Sequence, residues 1–173
     1  MDVCEECGSH QVEARFVEGV EVEECGLCGH VQGAPERVAL VSERMEAAKS
    51  GYNPIVFPLV KALDEVPTFR VETASAGRAE TSEYPFVFLR LEPGGLKDLE
   101  RLLTSLEMAN QSTKRRWVVE CALQHGLLFI LRPRFWKAVL EINETDIREA
   151  RGDLKLLAEV ISRDVKLSWW AGS

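Results

Sequence analysis

The first fifty residues change from an alternating to a helical pattern of apolar positions. Residues 11–17 and 20–23 alternate apolar and polar side chains on either side of Glu18-Gly19, which predicts a β-hairpin with a tight turn. Residues 34–50 then carry apolar side chains at helical spacing, which predicts a helix. The predicted apolar stripe of this helix is Val38, Val41, Met45 and Ala48.

Three further helices are predicted beyond residue 53. One lies within residues 55–66, with Pro58 near its beginning, where a proline is tolerated. Another follows the turn Pro93-Gly94-Gly95, and the last begins near residue 144. Asn143 and Asp146 have the spacing of a capping box at the beginning of this last helix.

Four apolar segments between these helices predict strands. They are residues 69–73, 85–92, 117–123 and 127–132, and turn residues lie between the last two. Strands joined as hairpins beside helices are typical of an α+β domain, with a mostly antiparallel sheet covered by helices. We therefore expect three parts: a small domain at 1–33, a connecting helix and linker at 34–53, and an α+β domain at 54–173.

Four of the five cysteines form two Cys-x-x-Cys pairs. They are Cys4, Cys7, Cys25 and Cys28. A glycine follows each pair, and the 17 residues between Cys7 and Cys25 are enough for one hairpin. Four thiolates favour one structural Zn²⁺ and leave no coordination position for water or substrate. Iron in a rubredoxin-like site, disulfides and a metal-free site are the alternatives. Cys121 lies on a predicted strand and is expected to be an inert core thiol.

Residues 1–33 consist of two Cys-x-x-Cys segments, which we call knuckles, with a hairpin between them, and this arrangement resembles the zinc-ribbon class. Many zinc ribbons bind proteins and some bind nucleic acids, so charge decides between these partners. Residues 1–33 account for the whole net charge of −7, because they hold eight acidic residues and one basic residue, Arg15. Phosphate binding requires lysine and arginine, so the ribbon is expected to bind a basic protein surface. The absence of an apolar leader predicts a cytoplasmic protein, and no apolar run is long enough for a membrane span.

A loop in residues 54–91 is similar to one in the wybutosine-synthesis tRNA methyltransferase family, whose loop reads Ser-Cys-Ser-Gly-Arg. Gly77 and Arg78 match that loop, whereas Ser75 stands at the position of its cysteine and alanines stand at its serines. The resemblance implies a shared topology and a link to RNA. Ser75, Gly77 and Arg78 are therefore candidates for binding a ligand or an anion.

A basic segment flanks the predicted hairpin of the last two strands. Its residues are Lys114, Arg115, Arg116, Arg132, Arg134 and Lys137. Antiparallel pairing brings the beginning of one strand beside the end of the next, so these side chains should form one patch able to bind a polyanion. Phe135 and Trp136 lie among them.

Three functions are consistent with this sequence. The favoured hypothesis is a non-enzymatic adaptor whose ribbon docks a protein partner. The second is an RNA-associated or tRNA-modification-related protein that uses the basic patch and the Gly77 loop. The third is an enzyme centred on Ser75 and Arg78. His125, in a predicted turn, and Trp169-Trp170, near the end of the chain, are weaker candidates for function.

Overall fold

The structure is a computed structural model that describes residues 3–123, 127–135 and 142–170. The chain divides into two compact units, Met1–Pro54 and Ile55–Ser173. Within the described ranges, no helix combines the length and hydropathy needed to cross a membrane.

Unit 1 contains a three-stranded antiparallel sheet in the order β1-β2-β3. The strands are β1 (Val12–Val17), β2 (Val20–Cys25) and β3 (Val31–Gln32). Val17 pairs with Val20, so only two residues make the turn, and Glu18 and Gly19 have φ angles of 50° and 74°. Positive φ at both positions is typical of a type I′ turn, whose twist matches that of the strands. The predicted hairpin is confirmed.

Helix α1 (Pro35–Ser50) packs against β2 and is part of unit 1. The core of this unit consists of Val20, Val22 and Val41, with Val17 and Val31 packed against it. The predicted stripe is correct at Val41 but wrong at Met45 and Ala48, which are exposed, whereas Ala47 is buried. One turn after Val41, Arg44 donates a hydrogen bond to the carbonyl of Glu18, so a polar contact continues this face of the helix.

Unit 2 contains a four-stranded antiparallel sheet in the order β4-β5-β7-β6. The strands are β4 (Phe69–Ser75), β5 (Phe86–Leu91), β6 (Arg116–Leu123) and β7 (Leu127–Arg134). The two hairpin-like pairs, β4 with β5 and β6 with β7, join side by side through β5 and β7. The predicted α+β class and the antiparallel sheet are confirmed.

Three helices accompany this sheet. They are α2 (Phe57–Asp64), α3 (Leu96–Ala109) and α4 (Glu144–Trp170). At the beginning of α4, the Asn143 backbone N–H donates to Asp146 Oδ2 and the Asp146 N–H donates to Asn143 Oδ1, both at 3.0 Å. The predicted capping box is confirmed, and it satisfies two backbone donors that the helix itself leaves unpaired.

The buried side chains of the sheet point to one face, towards the helices. They are Phe69, Val87, Leu89, Trp117, Leu131 and Pro133. The apolar stripe of α4, which includes Ile147, Leu154, Leu157 and Ile161, is buried as well, and α4 packs against α2 and α3. On the opposite face, which we call the outer face, the described side chains are half-buried or exposed.

Asp153 of α4 is a buried carboxylate that fixes the beginning of β6. It accepts hydrogen bonds from the backbone N–H of Lys114 at 2.8 Å and of Arg115 at 2.9 Å. It also accepts one from Trp117 Nε1 at 3.3 Å. Burial of a carboxylate is tolerated only when such donors replace its water, so α4 and β6 are held in one relative position.

Replacement of Asp153 by alanine removes the acceptor of three N–H donors, of which the Trp117 Nε1–H is buried and the other two are partly buried. We expect Asp153→Ala to lower the free energy of unfolding of unit 2 by about 3 kcal/mol. Urea unfolding followed by tryptophan fluorescence measures this unit selectively, because all four tryptophans lie beyond residue 54.

Glu159→Ala is the matched control on the same helix. Glu159 lies 4.0 Å from Lys155 in an exposed ion pair, and its loss should cost less than about 0.5 kcal/mol. Equal unfolding midpoints for the two variants would contradict the role of Asp153.

Candidate metal centre

The four cysteines predicted as metal ligands lie together in unit 1. Their sulfur atoms are all within 4.8 Å of one another. The Sγ atoms of Cys4 and Cys28 are 3.6 Å apart, as are those of Cys7 and Cys25. Four thiolates around a zinc-sized ion, with bonds of about 2.3 Å, form a tetrahedron with edges of about 3.8 Å. The cluster therefore has the dimensions of a metal site.

The two Cys-x-x-Cys segments form the same turn twice. The Gly8 N–H donates to the Cys4 carbonyl at 2.9 Å, and the Gly29 N–H donates to the Cys25 carbonyl at 2.8 Å. Gly8 and Gly29 have φ angles of 70° and 73°, which side-chain-bearing residues rarely adopt. The glycine after each pair thus allows the backbone to turn around the sulfur atoms.

Backbone donors and neighbouring sulfurs move the pKa values of the second knuckle in opposite directions. Hydrogen bonds from the backbone N–H groups of Cys28 and Leu27 stabilise the Cys25 thiolate and lower its pKa to about 6. A backbone hydrogen bond from His30 favours the Cys28 thiolate, but the Cys7 sulfur and burial outweigh it and raise the Cys28 pKa to about 12. Several adjacent thiolates repel one another, and a divalent cation between them removes this penalty.

Gln32 connects the first knuckle to the sheet behind the cluster. It is buried, its Oε1 accepts the Glu5 backbone N–H at 3.1 Å, and its Nε2 donates to the Val3 carbonyl at 3.4 Å. Such contacts around the ligands orient a metal site. Cys4 and Cys25 are buried, whereas Cys7 and Cys28 are exposed.

No protein-family model matches this chain, and neither a curated protein nor a solved structure matches it. No family match therefore supports the resemblance of residues 54–91 to the tRNA methyltransferases. The cysteine cluster is consistent with a zinc-ribbon-like site on its own geometry.

Removal of the metal should unfold unit 1 and leave unit 2 folded. Residues 1–33 bury little apolar surface, so metal binding has to supply the free energy of folding. We expect a chelator to abolish the amide hydrogen-exchange protection of β1 and β2 without changing the tryptophan fluorescence of unit 2.

Cysteine variants test the ligand set directly. Cys28→Ser should lower the metal content well below one ion per chain, measured by elemental analysis. Cys121→Ser is the control, since Cys121 is an exposed residue of β6, not the core thiol that its strand position predicted. Protected β1 and β2 amides in the fully chelated protein would show that unit 1 folds without metal.

The structure brings Ser75, Gly77 and Arg78 together in one loop whose polar groups bond to one another. The Ser75 hydroxyl donates to Glu83 Oε1 at 2.8 Å and accepts the Gly77 N–H at 3.1 Å. Arg78 and Glu83 exchange two backbone hydrogen bonds, of 2.7 and 3.0 Å. The Ser75 hydroxyl thus stabilises the loop, while the Arg78 side chain is 75% exposed and 4.0 Å from Glu83.

Gly77 is required by the close approach of the backbone at this loop. A Cβ at this position would lie 2.6 Å from the Glu83 carbonyl oxygen and 2.7 Å from the Pro85 nitrogen. Its φ of 73° adds a second penalty for any other residue. The match to the family motif at this glycine therefore has a local steric explanation.

Gly77→Ala should destabilise unit 2 by about 2 kcal/mol or more, because the new methyl group meets rigid backbone atoms. Gly152→Ala in α4 is the matched control, since its Cβ meets nothing within 4 Å. It should stabilise the helix by about 0.5–1 kcal/mol. Urea midpoints of both variants check this, and a neutral Gly77→Ala would contradict the steric argument.

The structure divides the predicted basic patch into two groups. Arg116 lies directly opposite Arg134, and Arg132 follows on the same face of β7, so these three share one end of the outer face. Lys114 is exposed beside them in sequence. Lys137, like His125 and Trp136, lies outside the described residues.

Arg115 belongs to a different cluster, because it pairs with carboxylates of α4. Its guanidinium bonds to Asp146 at 2.6 Å and to Glu149, and its carbon Cζ lies 5.9 Å from the Phe135 ring centre. These ion pairs separate Arg115 from the other arginines of the predicted patch, and its assignment to a polyanion patch stays a prediction. No local sequence pattern predicts these partners, because they are 31 and 34 residues away.

The exposure of one aromatic side chain of unit 1, Phe16, was not predicted. Phe16 is 77% exposed on β1. Its position in an alternating strand is equally consistent with a side chain that faces the core and with one that faces solvent. The alternation itself cannot tell which face of a strand is covered. The acidic residues of the paired strand β2 were the sequence signal that this side of the hairpin faces solvent.

Proposed function

We propose that this chain is a zinc-ribbon adaptor. Zinc held by Cys4, Cys7, Cys25 and Cys28 stabilises unit 1, and unit 1 docks an extended basic segment of a partner protein. The observation that supports this best is Phe16, an aromatic side chain left 77% exposed on an edge strand beside carboxylates.

The side of the ribbon sheet opposite its valine core combines apolar and acidic side chains. Phe16 lies directly opposite Glu21, and Ala14 lies directly opposite Glu23. Val20 and Val22, the alternate residues of β2, point to the core with α1 instead. An exposed aromatic ring rimmed by charge is characteristic of a protein-docking surface.

The free edge of β1 can accept another strand. Among the described strands, β1 pairs only with β2. Because the turn has two residues, Val17 and Val20 form a hydrogen-bonded pair, and every second pair along the two strands does the same. The hydrogen bond from the Gly26 N–H to the Gln11 carbonyl, at 2.8 Å, fits this alternation. The backbone groups of Ala14 and Phe16 consequently point away from β2, where an extended peptide can pair with them.

Charge selects the chemistry of the partner. Arg15, the one basic residue of residues 1–33, pairs with Glu13 at 3.6 Å and with Glu24 at 3.5 Å. The Glu21 carboxylate is 3.6 Å from Arg37 of α1 in an exposed pair that a partner's lysine or arginine can replace. The remaining carboxylates favour a basic segment and disfavour a phosphate backbone.

The metal has a structural role in this proposal. Four thiolates complete the tetrahedral coordination of Zn²⁺, which leaves no open position for substrate. The cross-link holds the two knuckles together and thereby fixes the hairpin that carries Phe16. The chain's own residues, and not the metal, then contact the partner.

Quantitative affinity capture with zinc-loaded variants tests the adaptor. We expect a defined partner to be retained by the wild-type chain and at least tenfold less by Phe16→Ser or by Glu21→Lys with Glu23→Lys. A lost aromatic anchor at the centre of an interface costs about 2 kcal/mol or more. The partner's contact segment, mapped by cross-linking, should be rich in lysine and arginine.

Leu96→Ser is the matched control, because Leu96 is an equally prominent apolar residue of unit 2, 68% exposed. It should leave the captured proteins unchanged. Identical partners for the wild type and the Phe16 variant would refute docking at β1, as would a contact segment rich in acids.

A further inference from the structure

The outer face of the four-stranded sheet has an apolar centre. Its apolar side chains are Phe86, Phe88, Val118, Leu128 and Ile130, and all of them are half-buried. Phe86 and Phe88 lie on the central strand β5, with ring centres 5.2 Å apart in an edge-to-face arrangement. Apolar side chains thus occupy both faces of β5, although the buried ones point only towards the helices.

Arginines face each other across neighbouring strands at two ends of the outer face. Arg70 of β4 lies directly opposite Arg90 of β5, and Arg116 of β6 lies directly opposite Arg134 of β7. Like charges in directly opposed positions destabilise a sheet. This arrangement occurs twice on one face, and neighbouring carboxylates such as Glu72 offset part of the repulsion. A bound polyanion can take over that role.

The outer face is positive although unit 2 is neutral. Residues 55–173 contain 17 basic and 17 acidic residues. With Arg132, the described strand residues of the outer face include five arginines and two glutamates. The glutamates, Glu72 and Glu120, pair with Arg90 and Arg132 at 2.7 Å each. These pairs are partly exposed, as is the pair between Arg116 and Glu107 of α3 at 3.1 Å, so phosphates can replace the carboxylates.

The spacing of the two arginine groups suits a short single strand. Leu128 of β7 lies opposite Arg90, and Arg134 is six residues further along, so the two ends are about 20 Å apart. Phe88 and Phe86 lie between them. Charge alone would attract any polyanion, but aromatic rings between two groups of arginines add surfaces for unpaired bases, which a duplex does not expose.

We propose that the outer face binds a single-stranded nucleic acid, with Phe86 and Phe88 stacking on bases and the arginines at both ends contacting phosphates. This surface is independent of the docking edge of β1 and assigns unit 2 a function of its own. It also differs from the predicted basic patch, because it excludes Arg115 and includes the centre of the sheet.

Fluorescence anisotropy of the zinc-loaded full chain with a labelled 12-nucleotide RNA tests the proposal. The same sequence as single-stranded DNA, the corresponding duplex and inorganic polyphosphate serve as further probes. We expect the single strands to bind more tightly than the duplex, with an affinity that falls as salt rises. Equal binding of RNA and DNA indicates recognition of bases and phosphates alone, and tighter RNA binding indicates that the ribose contributes; both support the proposal.

Variants separate stacking from charge. Phe86→Leu with Phe88→Leu keeps apolar bulk but removes the ring faces, and should raise the Kd by about 5- to 100-fold. Arg70→Gln with Arg116→Gln should reduce the salt slope by about 1.4, because each phosphate contact contributes about 0.7 for a single strand. Lys155→Gln, on an exposed position of α4, is the charge-matched control and should change neither quantity.

Three outcomes would overturn the proposal. They are undetectable binding of every probe, equal affinity of the phenylalanine variant, and preferential binding of the duplex or of polyphosphate. Urea midpoints followed by tryptophan fluorescence establish that each variant is folded. Phe16→Ser should leave nucleic-acid binding unchanged, so the nucleic-acid proposal and the adaptor proposal are tested independently.

Discussion

Four sulfur atoms within 4.8 Å of one another are the constraint on which unit 1 depends. Thiolates at this distance repel, and the neighbouring sulfur atoms contribute to raising the pKa of Cys28 to about 12. A cation at the centre joins two knuckles that have only three buried valines behind them. We therefore expect the exposed edge of β1 to be a property of the metal-bound state, and the docking that we propose for this edge depends on metal coordination.

Unit 2 is stabilised in a different way, by a sheet that buries one of its two faces. Trp117 and Leu131 are covered, while Phe86 and Phe88 on the opposite side remain half-buried. Asp153 secures the covered face through three N–H donors at the point where β6 begins. Because stability is concentrated on one face, the other face is free to hold side chains, such as opposed arginines, that no fold would select for stability alone.

Predictions from the sequence succeeded where the interaction is local. The capping box of Asn143 and Asp146 spans three residues, and its geometry follows from the helix itself. The two cysteine pairs are likewise local and needed only one hairpin between them. Predictions failed, or missed a contact, where tertiary neighbours decide the outcome: Met45 is exposed because the three-stranded ribbon covers only part of α1, and Arg115 finds its carboxylates more than 30 residues away. Periodicity shows which residues share a face, but it does not show what covers that face.

An edge strand open to a partner is equally open to a second copy of the same chain, since identical backbones can pair along β1. The eight carboxylates of the ribbon oppose this, because two copies approaching edge to edge bring like charges within a Debye length of about 8–10 Å. Added salt weakens that repulsion and also weakens the attraction to a basic segment. In the proposed adaptor, higher ionic strength is therefore expected to favour self-association over binding of a basic segment, and the acidity of the ribbon opposes edge-to-edge pairing of two copies.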